Sequence, residues 1–141
     1  MKIKSFLSIL LLSVCSLSIN AQDARSKVDS GIAQIERLID GRNWGAAFTK
    51  LRELEASVMD NPSLQYLTSK QRCKMYTRIN WNREANETMQ KMEQQALRSG
   101  DEKIIEDMLH EKASFYAAKG DLRVARDCYD QMFRRRSYGK D

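Results

Sequence analysis

The stretch from Leu109 to Met132 constrains the fold of this chain more than any other, because it specifies two helices and the turn between them. Small and large apolar residues recur at helical spacing on both sides of a break at Gly120 and Asp121. They are Ala113 and Tyr116 before the break, and Ala125, Tyr129 and Met132 after it. Gly120 suits the left-handed conformation that ends a helix, and the Asp121 carboxylate can cap the next helix. We therefore expect a helix hairpin in which Ala113 and Ala125 allow close contact beside the two tyrosines.

This order of residues resembles the tetratricopeptide repeat (TPR), which places small, aromatic and Gly-Asp residues at the same offsets. Two earlier hairpins align with this one at spacings of 38 and 40 residues. The aligned residues are Leu38, Tyr76 and Tyr116; Ala47, Ala85 and Ala125; and Leu51, Met89 and Tyr129. The spacing exceeds the about 34 residues of the standard TPR, and Gly31 stands where that pattern has a large apolar residue. The resemblance implies an all-α fold, a right-handed stack of three antiparallel helix hairpins that forms an α-solenoid.

The predicted hairpins cover residues 24–60, 61–99 and 101–137 of a single domain, residues 22–141. In the first hairpin the apolar positions are Val28, Ile32, Ile35, Leu38, Ile39, Trp44, Ala47, Phe48, Leu51, Leu54 and Val58. In the first helix of the second hairpin, the predicted inner residues are Leu64, Leu67, Cys73, Tyr76 and Ile79. One hairpin cannot bury its apolar side alone, so we expect neighbouring hairpins to stack.

Residues 1–21 have the features of a secretory signal peptide. Two lysines precede a predominantly apolar stretch of 14 residues, 6–19, and Ala21 ends a cleavage site before Gln22. The apolar run is shorter than the roughly 18–20 residues that span a bilayer, which favours cleavage over an uncleaved anchor. A lipoprotein site at Cys15 is disfavoured because a bulky valine precedes it. We therefore expect an exported protein, periplasmic or extracellular, with no stable membrane span after cleavage.

The composition of the remaining 120 residues favours helices and gives no argument for nucleic-acid binding. The whole chain contains one Pro and six Gly, and helix-forming residue types are abundant. The signal segment holds two of the 24 Lys and Arg residues and none of the 19 Asp and Glu residues, so removing it lowers the net charge from +5 to +3. Cys73 and Cys128 remain, and their helical positions in different hairpins favour two separate thiols over a disulfide.

The sequence offers little for catalysis. His110 is the one histidine, and the chain lacks Cys-x-x-Cys, His-x-x-x-His and glycine-rich phosphate motifs. A lone histidine on a polar helix face is more often solvated than catalytic. We therefore expect no enzymatic activity, no cofactor and no metal.

The TPR resemblance implies that the first helix of each hairpin lines a concave binding groove. The implied groove residues are Asp29, Ile32, Glu36, Asp40, Lys70, Lys74, Arg78, Asp107, His110 and Ser114. Lys70, Lys74 and Arg78 recur every four residues and form a basic stripe. The stripe either receives a carboxylate or an acidic peptide, or forms ion pairs with acidic residues of the neighbouring helices.

The last predicted helix carries two further features. Three arginines, 134–136, either bind an anionic group or compensate the helix dipole, and their short run favours the dipole. Tyr129, Met132 and Phe133 would leave apolar surface exposed, which predicts self-association, a partner protein or a further hairpin. The leading hypothesis is an exported scaffold that binds a protein or peptide. The alternative is the N-terminal part of the ectodomain of a membrane-bound bacterial sensor or transcriptional regulator, which the chain resembles.

Overall fold

The structure, a computed structural model, describes the backbone of residues 3–138 and the side chains of residues 20–138. Its helices are α1 (Ile3–Asp40), α2 (Trp44–Ala56), α3 (Pro62–Arg78), α4 (Asn82–Ser99), α5 (Glu102–Ala118) and α6 (Leu122–Tyr138). No strand occurs within residues 3–138. The predicted all-α class is confirmed, and the helices pack in pairs. The chain divides into two compact units, Met1–Leu54 and Glu55–Asp141.

In the first unit, α1 and α2 approach closely at a glycine. A Cβ added to Gly31 would lie 2.9 Å from a methyl carbon of Leu54, so the absence of a side chain allows the contact. A larger side chain at position 31 would collide with Leu54. The helix predicted from about residue 24 begins instead at Ile3. Most of the predicted signal peptide, residues 1–21, lies outside the residues whose side chains are described.

In the second unit, α3 pairs with α4, α5 pairs with α6, and α4 packs against α5. These helices share one apolar core. The buried members of this core are Tyr66, Cys73, Met89, Met92, Ala96, Ile104, Ile105, Met108, Leu109, Ala113, Ala125 and Cys128. The core therefore joins the second predicted hairpin to the third.

The turns within the three hairpins are built alike. Each contains one residue with a left-handed backbone: Arg42 (φ 58°), Asn80 (φ 60°) and Gly120 (φ 82°). The following N–H donates to the carbonyl five residues earlier, from Asn43 to Leu38 at 2.8 Å, from Trp81 to Tyr76 at 2.9 Å, and from Asp121 to Tyr116 at 2.9 Å. These bonds close a Schellman turn. Their acceptors are the residues that the sequence aligned at spacings of 38 and 40.

The three aligned alanines are buried as predicted: Ala47, Ala85 and Ala125 are 0%, 1% and 5% exposed. The prediction that Tyr129 fills the space beside Ala125 is wrong, because Tyr129 is 48% exposed and Cys128 is buried in its place. Either Cys128 or Tyr129 can lie on the same side of α6 as Ala125 and Met132. Packing against α5 buries Cys128 and leaves Tyr129 exposed. Met132 is half-buried against the core, so its predicted exposure is also wrong.

The inner face predicted for α3 omitted two of its most buried residues. Tyr66 and Met75 are both 0% exposed, whereas Tyr76 and Ile79 are only half-buried. The polar residues Thr68, Ser69 and Gln71 are buried as well. The periodicity of an amphipathic surface helix predicts one buried face, but α3 packs against α4 and also contacts α5 through Tyr66. A helix with neighbours on several sides buries more than one face.

Candidate protein-binding surfaces

Lys70, the first residue of the predicted basic stripe, lies between two carboxylates of α5. Its Nζ is 2.8 Å from Asp107 Oδ2 and 2.9 Å from Glu111 Oε1. The Tyr66 hydroxyl also donates to Asp107 Oδ2, at 2.6 Å. The charge of Lys70 is thus already compensated. Of the two alternatives predicted for the basic stripe, ion pairing with a neighbouring helix holds for this residue.

The pKa values of this group follow from its surroundings. Burial alone would raise the pKa of Asp107, but hydrogen bonds from Lys70 and Tyr66 outweigh burial and hold the pKa below its ordinary value. Burial alone would lower the pKa of Lys70, but its bonds to Asp107 and Glu111 raise it. Burial and the bond to Asp107 raise the pKa of Tyr66 far above its ordinary value. At neutral pH the tyrosine therefore stays a hydrogen-bond donor and the ion pair stays charged.

Lys74 and Arg78 continue the stripe along α3, and both side chains are exposed. Neither takes part in an ion pair with any residue in the range 20–138. His110 is also exposed, and an electrostatic interaction with it helps to lower the pKa of Asp107. The structure therefore brings Lys70 and His110 together beside Asp107, and it leaves Lys74 and Arg78 as a pair of cations facing solvent.

Other ion pairs connect helices that the sequence could not relate to each other. Arg72 makes two hydrogen bonds of 2.6 Å to the Glu55 carboxylate. Further pairs join Lys112 to Glu93 at 2.8 Å, Arg135 to Glu102 at 2.8 Å, and Arg136 to Glu106. Two of the three C-terminal arginines are thus bound to α5, which reduces the charge available to an anionic ligand.

A cleft of about 310 Å³ lies in the second unit. It is lined by Glu55, Ala56, Met59, Gln65, Thr68, Ser69, Lys91, Gln95 and Arg98. The side-chain oxygen of Gln95 is buried and has no hydrogen-bond partner among the described residues. The cations that line the cleft are exposed, and nothing in this arrangement specifies a ligand.

An apolar surface lies on α6. Leu122, Tyr129 and Phe133 are 69%, 48% and 73% exposed. Their spacings of seven and four residues place them on one side of the helix together with Arg126. We call these four residues the outer face of α6. The predicted exposure of Tyr129 and Phe133 is confirmed, and Leu122 extends the apolar surface beyond the residues predicted from the sequence.

Both described cysteines are free and buried. Burial raises the pKa of the Cys73 thiol to about 11 and also raises the pKa of Cys128. Among the described residues, no group of three or more His, Cys, Asp or Glu side chains is placed to hold a metal ion. Within the same part of the chain, no helix combines the length and apolar character needed to cross a membrane.

Comparisons with protein-family models, with curated proteins and with solved structures find no match to this chain.

Proposed function

We propose that this protein is an exported helical-repeat scaffold, similar to TPR proteins, that binds an acidic peptide or protein segment through α3 and α5. One observation carries the proposal. Lys74 and Arg78 lie one helical turn apart on α3, are exposed, and lack a carboxylate partner among residues 20–138. Two adjacent cations without a partner suit a ligand that supplies the missing carboxylates.

The likeness of the three turns supports the repeat architecture. The left-handed residue and the hydrogen bond that follows it recur in each turn at the spacings of the aligned residues. Because a Schellman turn is a common helix ending, the support comes from its recurrence at the aligned positions and not from the motif alone. The right-handed stacking of all three hairpins stays a prediction of the TPR resemblance.

The contacts of Lys70 define where the ligand would lie. Because Asp107 and Glu111 already bind Lys70, they do not compensate the next two cations of the stripe. His110 is exposed on the adjacent helix. An extended acidic segment could therefore pair with Lys74 and Arg78 and reach His110, without breaking the ion pairs between α3 and α5.

Selection from a random peptide library, followed by titration of the enriched peptides, tests this proposal. We expect peptides rich in Asp and Glu. The double substitution Lys74→Glu and Arg78→Glu should weaken their binding by about tenfold or more. Lys91→Glu with Arg98→Glu is the matched control, because it makes the same charge change at exposed positions of α4. Acidic peptides that bind both double variants equally would contradict the proposal.

Export is proposed on the order of features in residues 1–21. Cleavage after Ala21 would produce a protein that begins at Gln22. N-terminal sequencing of the protein collected outside the cytoplasm checks this. A first residue of Met1 would show that the segment is retained, and a first residue of Cys15 would show processing as a lipoprotein.

A further inference from the structure

The outer face of α6 is a second candidate surface, separate from Lys74 and Arg78 and independent of the function proposed for them. Leu122, Tyr129 and Phe133 expose large apolar side chains along one side of the helix. The Arg126 side chain on the same side is 83% exposed, and its one ion pair among the described residues is a long contact of 3.9 Å with Asp130 of the same helix. Large apolar side chains exposed on one side of a helix are typical of a protein–protein contact.

The preceding hairpin shows what the corresponding face of α4 contacts. The residues 40 positions before Arg126, Tyr129 and Phe133 are Asn86, Met89 and Glu93. Asn86 Oδ1 accepts a hydrogen bond of 2.6 Å from Lys119. Met89 is 2% exposed within the core that α4 and α5 share. Glu93 binds Lys112 at 2.8 Å. This face of α4 is the one that packs against α5, and its equivalent on α6 is the outer face.

The direction of a helix that packs on the outer face of α6 as α5 packs on α4 follows from the same contacts. From Asn86 to Glu93 the residue number rises by seven along α4, while the partner number falls by seven, from Lys119 to Lys112. The two helices therefore run antiparallel. In a helix placed on α6 in the same way, one residue contacts Phe133. The residue seven positions closer to the C-terminus of that helix contacts Arg126.

The residue types expected on the helix that packs against the outer face follow from Arg126 and Phe133, which stand in the places of Asn86 and Glu93 of α4. Phe133 stands in the place of Glu93, so an apolar residue complements it. Arg126 stands in the place of Asn86, so an acidic residue complements it. The two complementary positions are seven residues apart and thus lie on the same side of a helix.

We propose that the outer face of α6 binds an acidic amphipathic helix of a partner protein, which lies antiparallel to α6 as α5 lies along α4. The charge of α6 favours such a partner over a second copy of the chain. Residues 122–138 contain five Arg and two Asp. Because Arg135 and Arg136 are paired with Glu102 and Glu106 of α5, the remaining net charge is +1. The outer face itself contains Arg126 and no acidic residue. Two copies joined through this face would bring like charges together. The same charge disfavours the self-association that the sequence predicted.

A synthetic peptide can serve as the probe, with α5 as its template. The probe has the sequence of residues 102–119 with Lys112→Leu and Lys119→Glu, which places an apolar and an acidic residue opposite Phe133 and Arg126. The unmodified peptide is its control. We expect the modified peptide to bind the mature protein, and the unmodified peptide to bind at least about tenfold more weakly.

Substitutions in the protein locate the binding. Phe133→Glu and Arg126→Glu should each weaken binding of the modified peptide by about tenfold or more. Both residues are exposed, so circular dichroism should show an unchanged fold. Lys74→Glu with Arg78→Glu should leave this binding unchanged, which separates this surface from the one proposed above. Equal binding of the two peptides, or binding that is insensitive to Phe133→Glu, would overturn the proposal. A dimer in sedimentation that Phe133→Glu dissociates would assign the face to a second copy instead.

Discussion

Asp107 shows how one side chain can serve two neighbouring helices. Its carboxylate accepts hydrogen bonds from Tyr66, which is fully buried, and from Lys70, so it connects α5 to α3 at two points. Removing the carboxylate would leave the Tyr66 hydroxyl buried without this acceptor. The energetic importance of Asp107 therefore comes more from the buried phenol than from the surface ion pair.

We predict that Asp107→Ala lowers the free energy of unfolding by about 1–3 kcal/mol at neutral pH, the cost of an unsatisfied buried donor. Because the pKa of Asp107 is lower in the folded state, the charged carboxylate stabilises the fold above its ordinary pKa. This stabilisation is lost as the pH falls through the folded pKa. Urea titrations should therefore show a difference between wild type and variant that is constant near neutral pH and shrinks below about pH 4.

Glu87→Ala is the matched control for Asp107→Ala. The Glu87 carboxylate is exposed and lies 3.9 Å from Arg83, so its removal should change the free energy of unfolding by about 0.5 kcal/mol or less. An equal effect of the two substitutions would mean that the contact with Tyr66 contributes nothing specific.

At the scale of the helices and turns, three hairpin turns reach the same geometry with different residues. Gly120 adopts a left-handed backbone without steric cost, whereas Asn80 and Arg42 adopt it with a side chain. Asparagine is the side chain that tolerates this region best. Arginine has no such preference, so the turn at Arg42 depends on its backbone hydrogen bonds, from Arg42 to Ile39 and from Asn43 to Leu38.

We predict that Gly120→Ala destabilises the protein by about 1–2 kcal/mol, because φ is 82° at this position. Nothing lies within 4 Å of an added Cβ there, so the cost is one of backbone conformation alone. Gly45→Ala is the control. Gly45 also has open space around it but lies within α2 with an ordinary φ, so alanine should stabilise that helix by up to about 1 kcal/mol. Thermal melts of both variants should shift in opposite directions, and shifts of the same sign would contradict this account of the turn.

At the scale of the whole molecule, the reactivity of the thiols indicates whether the protein is folded, and their number indicates whether the N-terminal segment has been removed. Cys73 and Cys128 are 5% and 2% exposed, and burial raises the pKa of both. Thiols that are buried and protonated react slowly, because the thiolate is the reactive form. The third cysteine, Cys15, lies in the predicted signal peptide.

We predict that a thiol reagent at neutral pH modifies neither Cys73 nor Cys128 in the folded protein within minutes, and both after denaturation. A count of two thiols in the denatured protein indicates that Cys15 has been removed. A count of three indicates that the N-terminal segment is retained, and a count that rises only after reduction indicates a disulfide. Mass spectrometry of the labelled protein distinguishes these results.

The sequence by itself determined the helices, their turns and the residues that recur between hairpins. These features depend on neighbours within about one or two helical turns: Gly120 and Asp121 can form their turn without any distant contact. The alanines that become buried were also predictable, because a helical period repeats the same apolar side in each hairpin. The exposure of Phe133 followed from the same periodicity.

Only the tertiary structure decided which side of each helix is covered and which charges remain available. Ala125 and Met132 fit an inner face with Cys128 as well as one with Tyr129, and packing against α5 selected Cys128. Lys70 and Lys74 have equivalent places in the sequence pattern, yet only Lys70 meets the carboxylate of Asp107, 37 residues away. The physical reason is that the rotation and register of packed helices set such contacts, and neither quantity is encoded in the local sequence of one helix.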